Sequence, residues 1–235
     1  MLMKIKKIIR KLGFDLVKYH SHFENQLKKH SIECVIDVGA NEGQFARHIH
    51  TIIPTAKIYS FEPLKEPFKK LEALKDSIPD FECFNTALGN TTSKIDIWKS
   101  SFSPSSSMLP MEQLHKNIYP KSAELTKESV DLDKLDNFKS KFDIGGKYLV
   151  KIDVQGFEKE VIAGGTEIIG KATLLLVETS FVSLYSNQPL FDEITEQLFN
   201  LGFRYFGHDG QHRNEQNGDL LFQDSIFINQ SSLLK

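Results

Sequence analysis

Short apolar runs alternate along this chain with longer segments whose apolar residues recur at spacings of three and four. Cys34–Val38, Lys57–Phe61 and Phe81–Phe84 are runs rich in Val, Ile, Phe and Tyr, and they read as strands. A helix is predicted from the glycine-bearing turn after Val38 through Ile53, and another from Glu66 to Ser77. The alternation resumes with a strand at Lys147–Asp153, a helix at Glu158–Ile169, and the nearly unbroken apolar strand Ala172–Glu178, which belongs at the centre of a sheet. A helix at Leu190–Leu201 and strands at Phe203–Gly207 and Leu220–Ile228 complete the pattern. Strand–helix alternation with short connections predicts an α/β fold, a mostly parallel sheet with helices on both faces. Right-handed crossovers then bring the C-terminal ends of the parallel strands to one edge.

Two stretches depart from this pattern. Between about residues 91 and 131 polar and apolar positions alternate, first at Ser93–Lys99 and again towards Val130 and Asp131, around a Ser-rich segment from Ser100 to Ser107. That predicts an inserted β-hairpin with a loop at its tip, beside the ligand edge of the sheet. Ahead of the first strand, Leu2, Ile5, Ile8, Ile9, Leu12 and Leu16 keep helical spacing among eight lysines and arginines, against Asp15 and Glu24. Residues 1–30 are therefore expected to form a basic amphipathic N-terminal helix, followed by one domain over 31–235. Packing on the core with its lysines in water is the preferred reading; docking on an anionic membrane face or a partner enzyme is the alternative. Charges interrupt every apolar run of this segment, which is not the pattern of a signal peptide.

Composition adds little that is specific. The chain has 235 residues, 40% hydrophobic and 26% charged, with a formal net charge of −2, and nothing in that balance points to nucleic acid. Cys34 and Cys83 both lie in predicted strands and read as buried reduced thiols of a cytoplasmic protein, not as a disulfide or a metal site. No apolar run is long enough to span a bilayer.

The chemistry concentrates at strand ends. After the first strand, Asp37, Gly39, Asn41 and Gly43 form a Gly-x-Asn-x-Gly turn preceded by an acid. The glycines permit a tight turn and close backbone approach to a ligand. An acid at that strand end repels a pyrophosphate but suits a cationic ligand, such as the ammonium and sulfonium of S-adenosylmethionine. Glu62 ends the second strand, where a carboxylate can accept both hydroxyls of a ribose. Asp153 ends the strand after the insertion and Glu178 the one after that, so both are expected at the same crevice. An ion pair of Lys151 with Glu158 is the structural alternative for this last motif.

Four segments in this order resemble the FkbM family of S-adenosylmethionine-dependent methyltransferases: Val35–Phe45, Phe61–Pro63, Asn85–Asn90, and Lys151–Glu158 running on to Gly165. Ser105–Met108 and Val130–Leu135 match further family features; Gln155 stands where the family often has glutamate. The resemblance implies a class I methyltransferase (Rossmann-like) fold with a seven-stranded sheet, S-adenosyl-L-methionine as cofactor, and usually methyl transfer to a hydroxyl of a small molecule, sugar or surface glycan. By position, Asp37, Gly39, Asn41 and Gly43 would hold the methionine portion and Glu62 the ribose. Thr86, Ala87 and Leu88 would lie near adenine, and Ser107 and Asp153 would line the methyl-transfer crevice. A hydroxyl is a poor nucleophile near neutrality, so a general base is expected. The candidates are Asp153 first, then His208 or Glu178; no dedicated metal cluster is visible. A nicotinamide-dependent oxidoreductase and a non-catalytic cofactor-binding subunit are the rival functions.

Overall fold

The computed structural model describes residues 9–13, 21–100, 106–119 and 125–233. Residues 1–8 and 14–20 of the expected N-terminal helix, and residues 101–105 and 120–124 of the insertion, lie outside those residues. Within the described part, helix α1 (His22–Lys29) begins with an N-cap: Ser21 Oγ accepts from the Glu24 N–H, and Phe23 and Leu27 are buried.

Strand β1 (Cys34–Val38) is buried throughout and leads through the glycine turn into α2 (Gln44–Ile52). Next come β2 (Lys57–Phe61), α3 (Lys65–Glu72) with a 3₁₀ turn at Ala73–Asp76, β3 (Phe81–Phe84) and the short β4 (Ala87–Leu88). β5 (Ser93–Ser100), α4 (Gln113–Ile118) and β6 (Leu125–Asp133) form the inserted region. The chain returns to regular alternation with a 3₁₀ segment at Leu135–Lys141, β7 (Tyr148–Ile152), α5 (Glu158–Gly164), α6 (Thr166–Lys171) and β8 (Leu174–Ser180). Finally come α7 (Phe191–Asn200), β9 (Phe203–Arg213) and β10 (Leu220–Asn229).

The main sheet has seven strands in the order β3-β2-β1-β7-β8-β10-β9. β1, β2, β3, β7 and β8 are parallel, and β10 runs antiparallel between β8 and β9. This is the mostly parallel sheet that the alternation predicts. β1, β7 and most of β8 are buried because apolar layers lie on both faces. Phe23, Leu27, Ala46, Ile49 and Leu71, from α1 to α3, pack on one face. Val161, Ile168, Ile194 and Leu198, from α5 to α7, pack on the other. A cluster of aromatic rings closes the β3 end: Phe61 lies 4.9 Å from Phe84 and 5.0 Å from Phe138 between ring centroids.

Three elements differ from the expectation. The insertion is more than a hairpin, because β4 adds to β6 in parallel and makes a three-stranded sheet, β4-β6-β5, and α4 lies in the connection between β5 and β6. The single helix expected at 158–169 breaks at Gly165 into α5 and α6, where a Cβ would meet Leu135 at 2.9 Å. The last hairpin is longer than its apolar core, since β9 continues in polar residues to Arg213. Cys34 is buried and Cys83 half-buried, and both are free thiols. Among the described residues no helix is long and apolar enough to cross a membrane.

Candidate functional site

The strand order reverses between β1 and β7, and a crevice opens there at the C-terminal ends of the parallel strands. It holds a cavity of about 460 Å³, within the range of small-molecule sites. The first part of the glycine turn, Gly39, Ala40 and Asn41, forms part of its wall. Gly39, Asn41 and Gly43 all have positive φ, at +81°, +47° and +83°. A Cβ on Gly39 would stand 1.9 Å from the carbonyl oxygen of Asp153, so the two strand ends touch backbone to backbone. Gly39 and Asn41 line the cavity. Gly43 acts away from it, starting α2 beneath the side chains of Leu71 and Leu74, and does not line the cavity.

Glu62 is buried on the cavity wall at the end of β2. One carboxylate oxygen accepts from the Asn41 N–H at 2.9 Å and the other from the Leu64 N–H at 2.8 Å. Each oxygen retains a lone pair for a further donor, which is what a vicinal diol needs. Burial pushes its pKa up to about 7, against the opposing pull of those two N–H groups. Asn85 ties the neighbouring strand ends together by donating to the carbonyls of Glu62 and Pro63, both at 2.9 Å. Thr86, Ala87, Leu88 and Ser107 line the cavity on this side.

Across the cavity the charges are crowded. Lys151 is almost fully buried, with its Nζ 3.3 Å from Asp37 and 3.4 Å from Asp153 and donating to the Gly39 carbonyl at 3.0 Å. Burial opposes its charge, but Asp37 and Asp153 outweigh that and hold its pKa above the ordinary value. Asp37 therefore departs from expectation. It sits inside the sheet between Ser60 and Lys151, is fully buried, and does not line the cavity; its cationic partner is a lysine of the same chain. The ion pair of Lys151 with Glu158, the structural alternative for this motif, is not formed; Lys151 pairs with Asp37 and Asp153. Glu158 instead accepts from the N–H groups of Val154 and Gly156, both at 3.1 Å, and so clamps the loop after β7. Burial raises its pKa to about 7.

Asp153 lines the cavity, and its Oδ1 accepts from Gln155 Nε2 at 2.9 Å. Glu178 stands behind Gln155, accepting from the same Nε2 at 3.0 Å, and is not part of the cavity wall. Burial, then Asp153, Glu158 and Asp224, push its pKa well up. His208 does not meet its expected role. It lies exposed in β9, opposite Ser225, because the polar end of β9 remains in the sheet instead of looping back over the site. Its neighbour Asp209 and the half-buried Asp224 line the cavity in its place. Burial and then Asp153 raise the pKa of Asp224 to about 6. Asp224 has a readable signal, a charge within the apolar run of the last strand. Tyr185 and His115, which reach this cluster through Gln155, have none.

A family model for the methyltransferase FkbM domain matches residues 37–205. The chain is similar to the 2-O-methyltransferase NoeI of Sinorhizobium fredii, with 26% identity over 178 residues, 73% of each protein. Among solved structures it is similar to a putative rRNA methylase from Clostridium thermocellum, with TM-score 0.46, 10% identity, and 91% of this chain and 97% of that one covered. It is also similar to TehB from Haemophilus influenzae, with TM-score 0.48, 9% identity, and 91% and 63% covered.

Proposed function

The chain belongs to the FkbM methyltransferase family, and we propose that it uses S-adenosyl-L-methionine to methylate a hydroxyl oxygen of a sugar or glycan. The observation that carries the cofactor assignment is Glu62, buried on the cavity wall beside the Gly39–Gly43 turn with both oxygens pinned by backbone N–H groups. A carboxylate fixed in this way is a receptor for a ribose diol. The residues on the far side fit the remainder of that cofactor. Asp153, Asp209 and Asp224 line the cavity with Lys151, and a surplus of carboxylates favours a ligand bearing positive charge. The same surplus disfavours the pyrophosphate of a nicotinamide dinucleotide.

When bound, S-adenosylmethionine supplies a methyl group on a sulfonium that is already a good leaving group. The protein then has to orient an acceptor, exclude water and take up a proton. Asp153 is the group that takes the proton. Of the three aspartates on the far side of the cavity, it is the one held between Gln155 on one oxygen and Lys151 facing the other. Ser107 and Met108 bring the inserted region to the cavity rim, where an acceptor is screened from water. The choice of oxygen is supported by the likeness to a 2-O-methyltransferase; a sugar or glycan is the acceptor class that the family resemblance implies.

Two measurements test the reading. Titration calorimetry should show binding of S-adenosylhomocysteine and none of NAD; the reverse result rejects the cofactor assignment. Incubation with methyl-labelled S-adenosylmethionine and a panel of methyl hexosides, deoxyhexosides and oligosaccharides should give a labelled O-methyl ether. Label appearing only on amines would reject oxygen as the acceptor.

A further inference from the structure

We propose that His115, Tyr185 and Gln155 form a positioning relay through which the inserted region sets the placement of Asp153 and Glu178. The proposal deepens the reading of Asp153 as proton acceptor and rests on it.

Gln155 is the centre of the relay. Its Nε2 donates to Asp153 at 2.9 Å and to Glu178 at 3.0 Å, while its Oε1 accepts from the Tyr185 hydroxyl at 2.7 Å. The two carboxylates only accept, so they fix the amide with its NH₂ towards them, and the Tyr185 hydroxyl holds the remaining Oε1 in place. The tyrosine has one hydroxyl hydrogen, and Gln155 takes it. His115 Nε2, 3.3 Å from the same hydroxyl, must therefore be the donor in that contact. Burial lowers the His115 pKa, which suits a neutral imidazole carrying its proton on Nε2.

The backbone under Gln155 is held as firmly as its side chain. Gln155 has φ +57°, an uncommon conformation for a residue with a Cβ, and Gly156 follows at +100°. The Ser107 hydroxyl donates to the Gln155 carbonyl, and Glu158 holds the N–H groups on either side. Ser107 and His115 both belong to the inserted region. That region is also latched to the segment after β8: the Glu112 N–H donates to the Leu184 carbonyl at 3.0 Å and the Ser186 N–H to the Pro110 carbonyl at 2.8 Å. Met111 and Leu109 pack with Leu184 and Tyr185 at this junction. The insertion thus reaches the carboxylates through the backbone and the side chain of one residue. An acceptor that seats the insertion would, by the same contacts, seat Asp153.

The test reads the Gln155 amide directly. In ¹⁵N-labelled protein its NH₂ pair is identified by its loss in Gln155→Met. In the unaltered chain both of its protons should exchange slowly with water. Tyr185→Phe removes one oxygen and keeps the ring; exchange of that pair should then speed up by roughly tenfold or more. On a hydroxyl acceptor kcat should fall by roughly tenfold to a hundredfold, with S-adenosylhomocysteine affinity unchanged. If Tyr185→Phe fails to fold, His115→Leu is read in the same way, with the same direction expected. Unchanged exchange overturns the relay, and so does faster exchange with kcat unaltered. Failure of the unaltered protein to bind S-adenosylhomocysteine would instead count against the proposed function, while the exchange data still decide the relay.

Discussion

Glu62→Gln should make the protein more resistant to unfolding at alkaline pH while depriving it of its cofactor. The Glu62 carboxyl titrates near 4.5 when unperturbed and near 7 in the native state. Between those values the native state keeps a proton that the unfolded chain has released, so rising pH favours unfolding. At about 1.4 kcal/mol per pH unit, the gap between those two values is worth roughly 3 kcal/mol, fully lost above the native value. Glutamine never ionises and escapes that loss. It has one carbonyl oxygen for two N–H donors, those of Asn41 and Leu64, and the mismatch costs roughly 1–3 kcal/mol at every pH. Urea unfolding of both proteins from pH 5 to 8.5 should therefore show Glu62→Gln level with or below the unaltered chain at pH 5. Its stability relative to the unaltered chain should then rise by roughly 2.5 kcal/mol by pH 8. Glu158, Glu178 and Asp224 titrate in both proteins and cancel in the difference. Calorimetry with S-adenosylhomocysteine should show a loss of roughly 2–4 kcal/mol of binding free energy, from weakened hydrogen bonds to the ribose. A stability difference that stays flat with pH, or falls as pH rises, would refute the reasoning.

Three further outcomes are expected. Lys151→Met leaves the fully buried Asp37 without its cation and should cost roughly 3–5 kcal/mol in urea unfolding, and adding Asp37→Asn should restore much of it. Gly39→Ala places a Cβ 1.9 Å from the Asp153 carbonyl; S-adenosylhomocysteine binding should disappear by calorimetry, with a lowered melting temperature. Asp153→Asn should slow methyl transfer by roughly 10²–10⁴-fold in a label-transfer assay, with a much smaller effect on S-adenosylhomocysteine affinity.

The parallel core is legible in the sequence because its signal is local. Runs such as Cys34–Val38 and Leu174–Val177 are apolar because both faces are covered, and their ends mark the site edge. Glu62 and Asp153 can be placed from that edge alone. What cannot be read depends on pairings distant in sequence. Asp37 and Lys151 are strand neighbours across more than a hundred residues, so an acid suited to a cationic ligand is in fact committed to a lysine. Tyr185 reaches Gln155 from a segment with no motif of its own. His208 misleads for a related reason: polar residues can continue a strand when a neighbouring strand supplies the hydrogen bonds, as β10 does for β9.

The antiparallel seat of β10 also bears on the order in which the molecule can assemble. β9 leaves the ribosome first, yet in the finished sheet it pairs with β10, and β10 stands between it and β8. Until the last strand is synthesised, β8 presents an unpaired edge and β9 has no place beside it. The five parallel strands can associate earlier, which leaves a nascent chain with only Asp153 of its three far-side aspartates in place, because Asp209 and Asp224 arrive with the last two strands. Such an intermediate carries an open apolar edge prone to association with other chains. Completion of the site and protection of the sheet edge are thus the same event in the life of the polypeptide.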